Sequence, residues 1–132
     1  MKESHFLNQV VRSLLAGQLK AAADPHRPRW HLAAPVGLLN DPNGFIEHDG
    51  RYHLFYQWNP LGCEHSNKGW GHVTSTDLLH WQHEPVALLP TEAYESHGCY
   101  SGSAVSDEQG RLTLVYTGNV KYPDGSRTAY QC

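Results

Sequence analysis

Charge of either sign is scarce in this 132-residue chain. Lys and Arg number ten and Asp and Glu thirteen, for a formal net charge of −3 and 17% charged residues. There is no basic excess to predict a nucleic-acid-binding face, and no cationic stripe for a membrane surface. Long apolar runs are lacking too. Nothing approaches the roughly 18 apolar residues that a membrane span requires. The N-terminal stretch is interrupted by Asn8, Gln9, Arg12 and Ser13, so it does not read as a signal peptide. Cysteine is limited to Cys63, Cys99 and Cys132, an odd number without C-x-x-C spacing. That argues against a disulfide scaffold and for a reducing, cytoplasmic setting. No H-E-x-x-H, G-x-S-x-G or G-x-x-x-x-G-K occurs. His80 and His83 fall three apart in a predicted strand, on opposite faces. Neither a metal nor a cofactor is expected.

Aromatic residues are what the chain has in quantity: four Trp, seven Tyr and three Phe, or 11%, beside twelve Gly and eight Pro. The 39% apolar content is enough for a folded domain. This mix suggests strands and turns that offer flat apolar faces to a ligand. Residues 4–20 read as an amphipathic helix, with Leu7, Val10, Val11, Leu14, Leu15 and Leu19 on one stripe and Ser4 as its N-cap. Asp24-Pro25 and Pro28 end it, so residues 1–29 form a helix and linker and residues 30–132 a strand-rich unit.

From Trp30 onward the periodicity is two. Phe45-Ile46-Glu47-His48, the turn Asp49-Gly50 and residues 52–58 predict a hairpin. Strands over 70–74 and 81–88 follow, with Pro85 marking an edge or a bulge. A second hairpin repeats the first: Gly44 through Tyr56 resembles Gly102 through Tyr116, and Gly110 follows Gly50 by 60 residues. Hairpins recurring at this period are the sequence pattern of a β-propeller blade. The fold class expected is all-β, about the first two blades of a propeller with an N-terminal helix. Unclosed blades leave long edges, so the 132-residue chain is expected to be a fragment that is aggregation-prone or molten alone.

The densest chemical signal is Asn40-Asp41-Pro42-Asn43-Gly44. Asp-Pro-Asn-Gly is by composition a good turn, and a plain turn is one reading of it. The other is a carboxylate presented at the start of an innermost propeller strand, beside an amide that orients it or reads a sugar hydroxyl. Gln57 ends an apolar strand, where its amide can read two hydroxyls. Trp58, Trp70 and Trp81 are candidates to stack on sugar rings, although core packing is the commoner role for such residues.

These residues carry a resemblance. Residues 38–44, Leu-Leu-Asn-Asp-Pro-Asn-Gly, resemble the W-M-N-D-P-N-G signature of glycoside hydrolase family 32. Phe55-Tyr56-Gln57-Trp58-Asn59-Pro60 resembles its F-Y-Q-x-N-P motif. Trp70-Gly71-His72-Val73-Thr74-Ser75 with Asp77-Leu78-Leu79-His80-Trp81 resembles its W-G-H-A-x-S…D-L-x-H-W stretch. Tyr100-Ser101-Gly102-Ser103-Ala104 resembles F-S-G-S-A. The family holds invertases, sucrose-6-phosphate hydrolases and fructan hydrolases. Within it the chain looks most like the cytoplasmic bacterial enzymes that act on sucrose 6-phosphate.

The resemblance implies a five-bladed propeller followed by a β-sandwich. It implies a retaining enzyme that cleaves the fructosyl bond of sucrose 6-phosphate or sucrose, with Asp41 as nucleophile. Leu38, Leu39, Asn40, Gln57, His65, Tyr100 and Ser101 fall at substrate-binding positions. Leu38 and Leu39 replace the usual Trp-Met, and His65 stands where many relatives place a Trp. The aspartate that stabilises the transition state and the acid/base glutamate are expected beyond residue 132. A small sugar is thus the partner expected, with no nucleic acid or membrane, and the sequence is silent on oligomeric state. A non-catalytic carbohydrate-binding propeller module is the alternative. Lys68, Lys121 and Arg127 are candidate contacts for a sugar phosphate.

Overall fold

A computed structural model describes residues 2–132, with side-chain surroundings from His5 onward. Helix α1 spans Lys2–Ala22 and is followed by an irregular linker. It is longer than the predicted 4–20, so Ser4 lies within it rather than capping it. Only part of the predicted stripe packs. Val10 is buried and Phe6 and Leu14 lean on the core, whereas Leu15 and Leu19 face solvent. No described helix is long and apolar enough to cross a membrane.

Among the described residues seven strands form two antiparallel sheets. The first holds β1 (Leu38–His48), β2 (Arg51–Asn59), β3 (Gly69–Ser75) and the two-residue β4 (Gln82–His83), in sequential order. The second holds β5 (Cys99–Ser106), β6 (Leu112–Lys121) and β7 (Arg127–Gln131). The β1–β2 hairpin turns at Asp49 and Gly50, both at positive φ (50° and 72°), the backbone that a two-residue turn between twisted strands requires. The strand expected over 81–88 is interrupted. After β4 the chain stays on the β3 edge through Ala87 N–H to Trp70 C=O and Trp70 N–H to Leu88 C=O, both 2.9 Å. Pro85, which has no N–H to give, separates these bonds from those of β4. His80 therefore lies in the bend before β4, with Nδ1 2.7 Å from the Asp77 carboxylate, and not on a strand face.

Strand alternation divides the core in two. Leu54, Tyr56 and Trp58 of β2 point to the α1 side, where they meet Val10, Ala34 and Val73. Phe55 points the other way, to Trp70, Cys99, Ala104 and Leu114 between the sheets. The first sheet is thus covered on both faces, by the helix and by the second sheet. Trp70 is fully buried in that contact, and its indole donates to Tyr100 C=O at 3.2 Å. Trp58 is also buried, donating to Val36 C=O at 2.7 Å. Trp81 packs against the α1-side core. Trp58 and Trp70 are therefore not available to stack on a sugar, whereas Trp81 is only partly buried. The large apolar surfaces of the two buried rings are spent joining the layers.

Candidate active site

Both sheets open with a strand that carries the same irregularity. In β1, Asn40 pairs with Gln57 and Pro42 with Tyr56, which leaves Asp41 as the extra residue of a bulge. In β5, Tyr100 pairs with Thr117 and Gly102 with Tyr116, which leaves Ser101 as the extra residue. A bulge takes a side chain out of the ladder and re-aims it. Asp41 adopts a φ of 33°, a backbone that Asp tolerates better than most residues. At the second bulge a side chain is impossible at Gly102: a Cβ there would lie 2.0 Å from the Val115 carbonyl oxygen.

The two re-aimed side chains meet. Ser101 Oγ donates to Asp41 Oδ2 at 2.9 Å, across 60 residues of sequence. Below them the Gly102 N–H donates to Asn43 Oδ1 at 3.3 Å, so the strands are joined through backbone as well. The Asp-Pro-Asn-Gly segment is therefore not a reversal. It runs on inside β1, and its turn-forming residues serve bulges in a continuing strand.

A chain of amides lies beside the carboxylate. Gln57 is buried at 4% exposure, on the same face of β2 as Phe55. Its Nε2 donates to Cys99 C=O at 3.2 Å, and its Oε1 accepts from Asn40 Nδ2 at 3.4 Å. Asn40 Oδ1 accepts in turn from the ammonium of Lys68. Asp41 is held below the usual carboxylate range, chiefly by the Ser101 hydroxyl, then by the Asn40 amide, with the Lys68 charge adding to both. These groups favour the charged form and outweigh the desolvation opposing it.

Of the sequence-predicted site residues, the structure brings together Asn40, Asp41, Gln57, Ser101 and the Tyr100 backbone. Leu38 and Leu39 sit at the start of β1, half-buried. Leu39 turns to the α1-side core and not towards Ser101. His65 is exposed in the loop between β2 and β3 and has no hydrogen bond to the cluster among the described residues. Asp41 is itself exposed, so these residues form one wall of a site, open to solvent. A cavity of about 370 Å³ lies under α1 instead, lined by Val10, Leu14, Tyr56 and Trp58, on the other face of the sheet. Among the described residues no group of three His, Cys, Asp or Glu could hold a metal ion.

Lys68 is the member whose place sequence reasoning missed, beyond naming it as a phosphate contact. A signal was present: extending the period-two pattern of β3 back from Trp70 puts residue 68 on the Trp70 face, next to Gln57, with which Trp70 pairs.

The chain is 64% identical over 126 residues to a sucrose-6-phosphate hydrolase of Klebsiella pneumoniae, covering 96% of this chain and 27% of that protein. It is 52% identical over 112 residues to one from Bacillus subtilis, covering 85% and 23%. Among solved structures, the sucrose-6-phosphate hydrolase from Lactobacillus gasseri superposes with a TM-score of 0.84 at 43% identity, over 92% of this chain and 25% of that one. A Bombyx mori beta-fructofuranosidase gives 0.80 at 35% identity, over 94% and 26%. The chain spans about a quarter of the length of the relatives it matches. Residues 31–132 match the pattern for the glycosyl hydrolases family 32 N-terminal domain, and with the facing bulges of Asp41 and Ser101 already in place, that match assigns the chain to glycoside hydrolase family 32.

Proposed function

We propose that this chain supplies the nucleophile side of the active site of a retaining fructosyl hydrolase acting on sucrose 6-phosphate or sucrose. On this reading its two sheets are the first two blades of a five-bladed propeller. The Asp41 carboxylate attacks the anomeric carbon of the fructosyl unit. A bond forms from Asp41 oxygen to that carbon as the glycosidic carbon–oxygen bond breaks. The departing sugar oxygen takes a proton from an acid group in the rest of the polypeptide, and water then releases fructose from the ester. Retention requires that second carboxyl within roughly 5–5.5 Å of Asp41. Acid catalysis contributes about 10²–10⁴-fold, so the 132 residues alone are predicted to hydrolyse negligibly.

The observation that carries the proposal is the hydrogen bond between the two bulge residues, Ser101 Oγ to Asp41 Oδ2 at 2.9 Å. It holds an exposed carboxylate in one orientation and in its charged form, as a nucleophile at neutral pH requires. Asn40 lies next to it, its amide held from behind by the buried Gln57. The test is Asp41→Asn in the complete polypeptide that carries this chain. We expect turnover of sucrose 6-phosphate to fall by about 10³-fold or more with the protein still folded. Near-normal turnover would remove Asp41 from this role.

A further inference from the structure

Lys68 is charged yet almost wholly buried, at 2% exposure, and makes no ion pair within 4 Å among the described residues. Burying an ammonium without a counter-ion is costly, so this position calls for an explanation. The stem is fixed. The Lys68 carbonyl accepts from Cys99 N–H at 2.8 Å. Gly98, at φ 130°, passes so close that a Cβ there would lie 3.0 Å from Lys68 Cβ and from the Tyr100 ring. The ammonium donates to Asn40 Oδ1.

That contact starts a chain whose polarity is set at both ends. An ammonium can only donate, and the Cys99 carbonyl at the far end can only accept. Between them Asn40 must turn its oxygen to Lys68 and its Nδ2 to Gln57, and Gln57 must turn its Nε2 to Cys99. Neither amide is free to flip. The Asn40 donor group is thereby kept on the Asp41 side. The remaining neighbours are neutral: β5 supplies the Ser101 hydroxyl, β2 the Gln57 amide and β1 the Asn40 amide. The Lys68 charge favours the ionised form of Asp41, and the Asp41 charge that of Lys68.

We propose that Lys68 is a positioning residue for the nucleophile: it locks Asn40 and Gln57 in one orientation, sets a positive charge beside Asp41, and does not read a substrate phosphate. This rests on Asp41 being the nucleophile. Lys68 is buried at 2% exposure with its ammonium turned to Asn40, so it is not presented to a phosphate arriving from solvent. Burial pushes the Lys68 ammonium down while Asp41 pulls it back up, the reciprocal of its effect on Asp41.

The test uses Lys68→Met and Lys68→Gln in the complete polypeptide. It reads the pH profile of kcat/KM and the kcat/KM ratio of sucrose 6-phosphate to sucrose. Losing the charge raises the Asp41 pKa, so the acid limb moves to higher pH by roughly half a unit to one unit, while the substrate ratio stays within about twofold of the parent's. An unmoved acid limb in a folded variant overturns the proposal. So does a collapse of the substrate ratio, which would make Lys68 a phosphate contact. Should both variants unfold, ¹⁵N-lysine spectra of the unmodified protein decide: the Lys68 ammonium resonance must step at the pH of the acid limb, and a flat signal refutes the coupling. Asp41→Asn serves as the separate control, since normal turnover there defeats the nucleophile reading whatever Lys68 does.

Discussion

Strands β1 and β5 are built alike and carry different chemistry. Each opens its sheet, each is bulged near its start, and each is covered by the hairpin strand that follows. At the bulge one presents a carboxylate and the other a hydroxyl. The comparison teaches that a repeat can build a hydrogen-bonded pair from equivalent positions: matching bulges re-aim both side chains, and the contact of the sheets makes them meet. The surroundings differ as well. The first sheet is covered on two faces, and β2 is buried from Phe55 through Asn59. The second sheet is covered on one, and its outer strand β7 is largely exposed.

The comparison breaks most completely if the sheets are uncoupled. Trp70 is fully buried between them, so Trp70→Ala leaves a cavity and is expected to cost about 3–5 kcal/mol. Denaturant titration of the complete polypeptide checks this, and a loss below 1 kcal/mol would mean the sheets hold together without it. Removing only the β5 contribution is milder. Ser101→Ala deletes the foremost cause of the lowered Asp41 pKa. Asp41 then protonates at higher pH, so the deficit in kcat/KM grows as pH falls. We expect about a tenfold loss at the acid end, or roughly 1.4 kcal/mol, and less at alkaline pH.

A third effect concerns a histidine pair in the first sheet. His53 Nδ1 and His72 Nε2 lie 3.0 Å apart. His72 is pushed down to about 4, by burial first and then by His53. A His with a depressed folded-state pKa is protonated earlier in the unfolded chain. Stability therefore falls as pH drops from about 6.5 to about 4, and levels off below. The loss should reach about 3 kcal/mol at most and should shrink in His72→Gln, where His53 and His83, also held below the usual imidazole value by burial, still titrate; the pH dependence of the denaturant midpoint measures it.

The hairpins were legible because their evidence is local. Asp49-Gly50 must turn, and Leu54, Tyr56 and Trp58 alternate with Phe55 as a two-sided strand does. Asp41 was legible as a candidate through the family motif. The form of its segment was not. Turn and bulge draw on the same residues, since both need a backbone that Asp and Gly tolerate, and the partner strand decides between them. Here the β2 ladder continues past the irregularity from Gln57 to Tyr56, so the chain cannot reverse. Trp58 and Trp70 look like sugar platforms in sequence because stacking and core packing use the same face. The place of Lys68 was hidden for a related reason: its burial comes from Gly98 and Cys99, some 30 residues away.

The account stands on Asp41 carrying the sugar. The direct measurement is to incubate the complete polypeptide with a fructosyl donor whose enzyme-bound form breaks down slowly, quench in acid, digest, and map the adduct by mass spectrometry. The account predicts one fructosyl group on the peptide containing Asp41, absent from Asp41→Asn. A fructosyl group on a different residue, or none while the donor is being turned over, would contradict it.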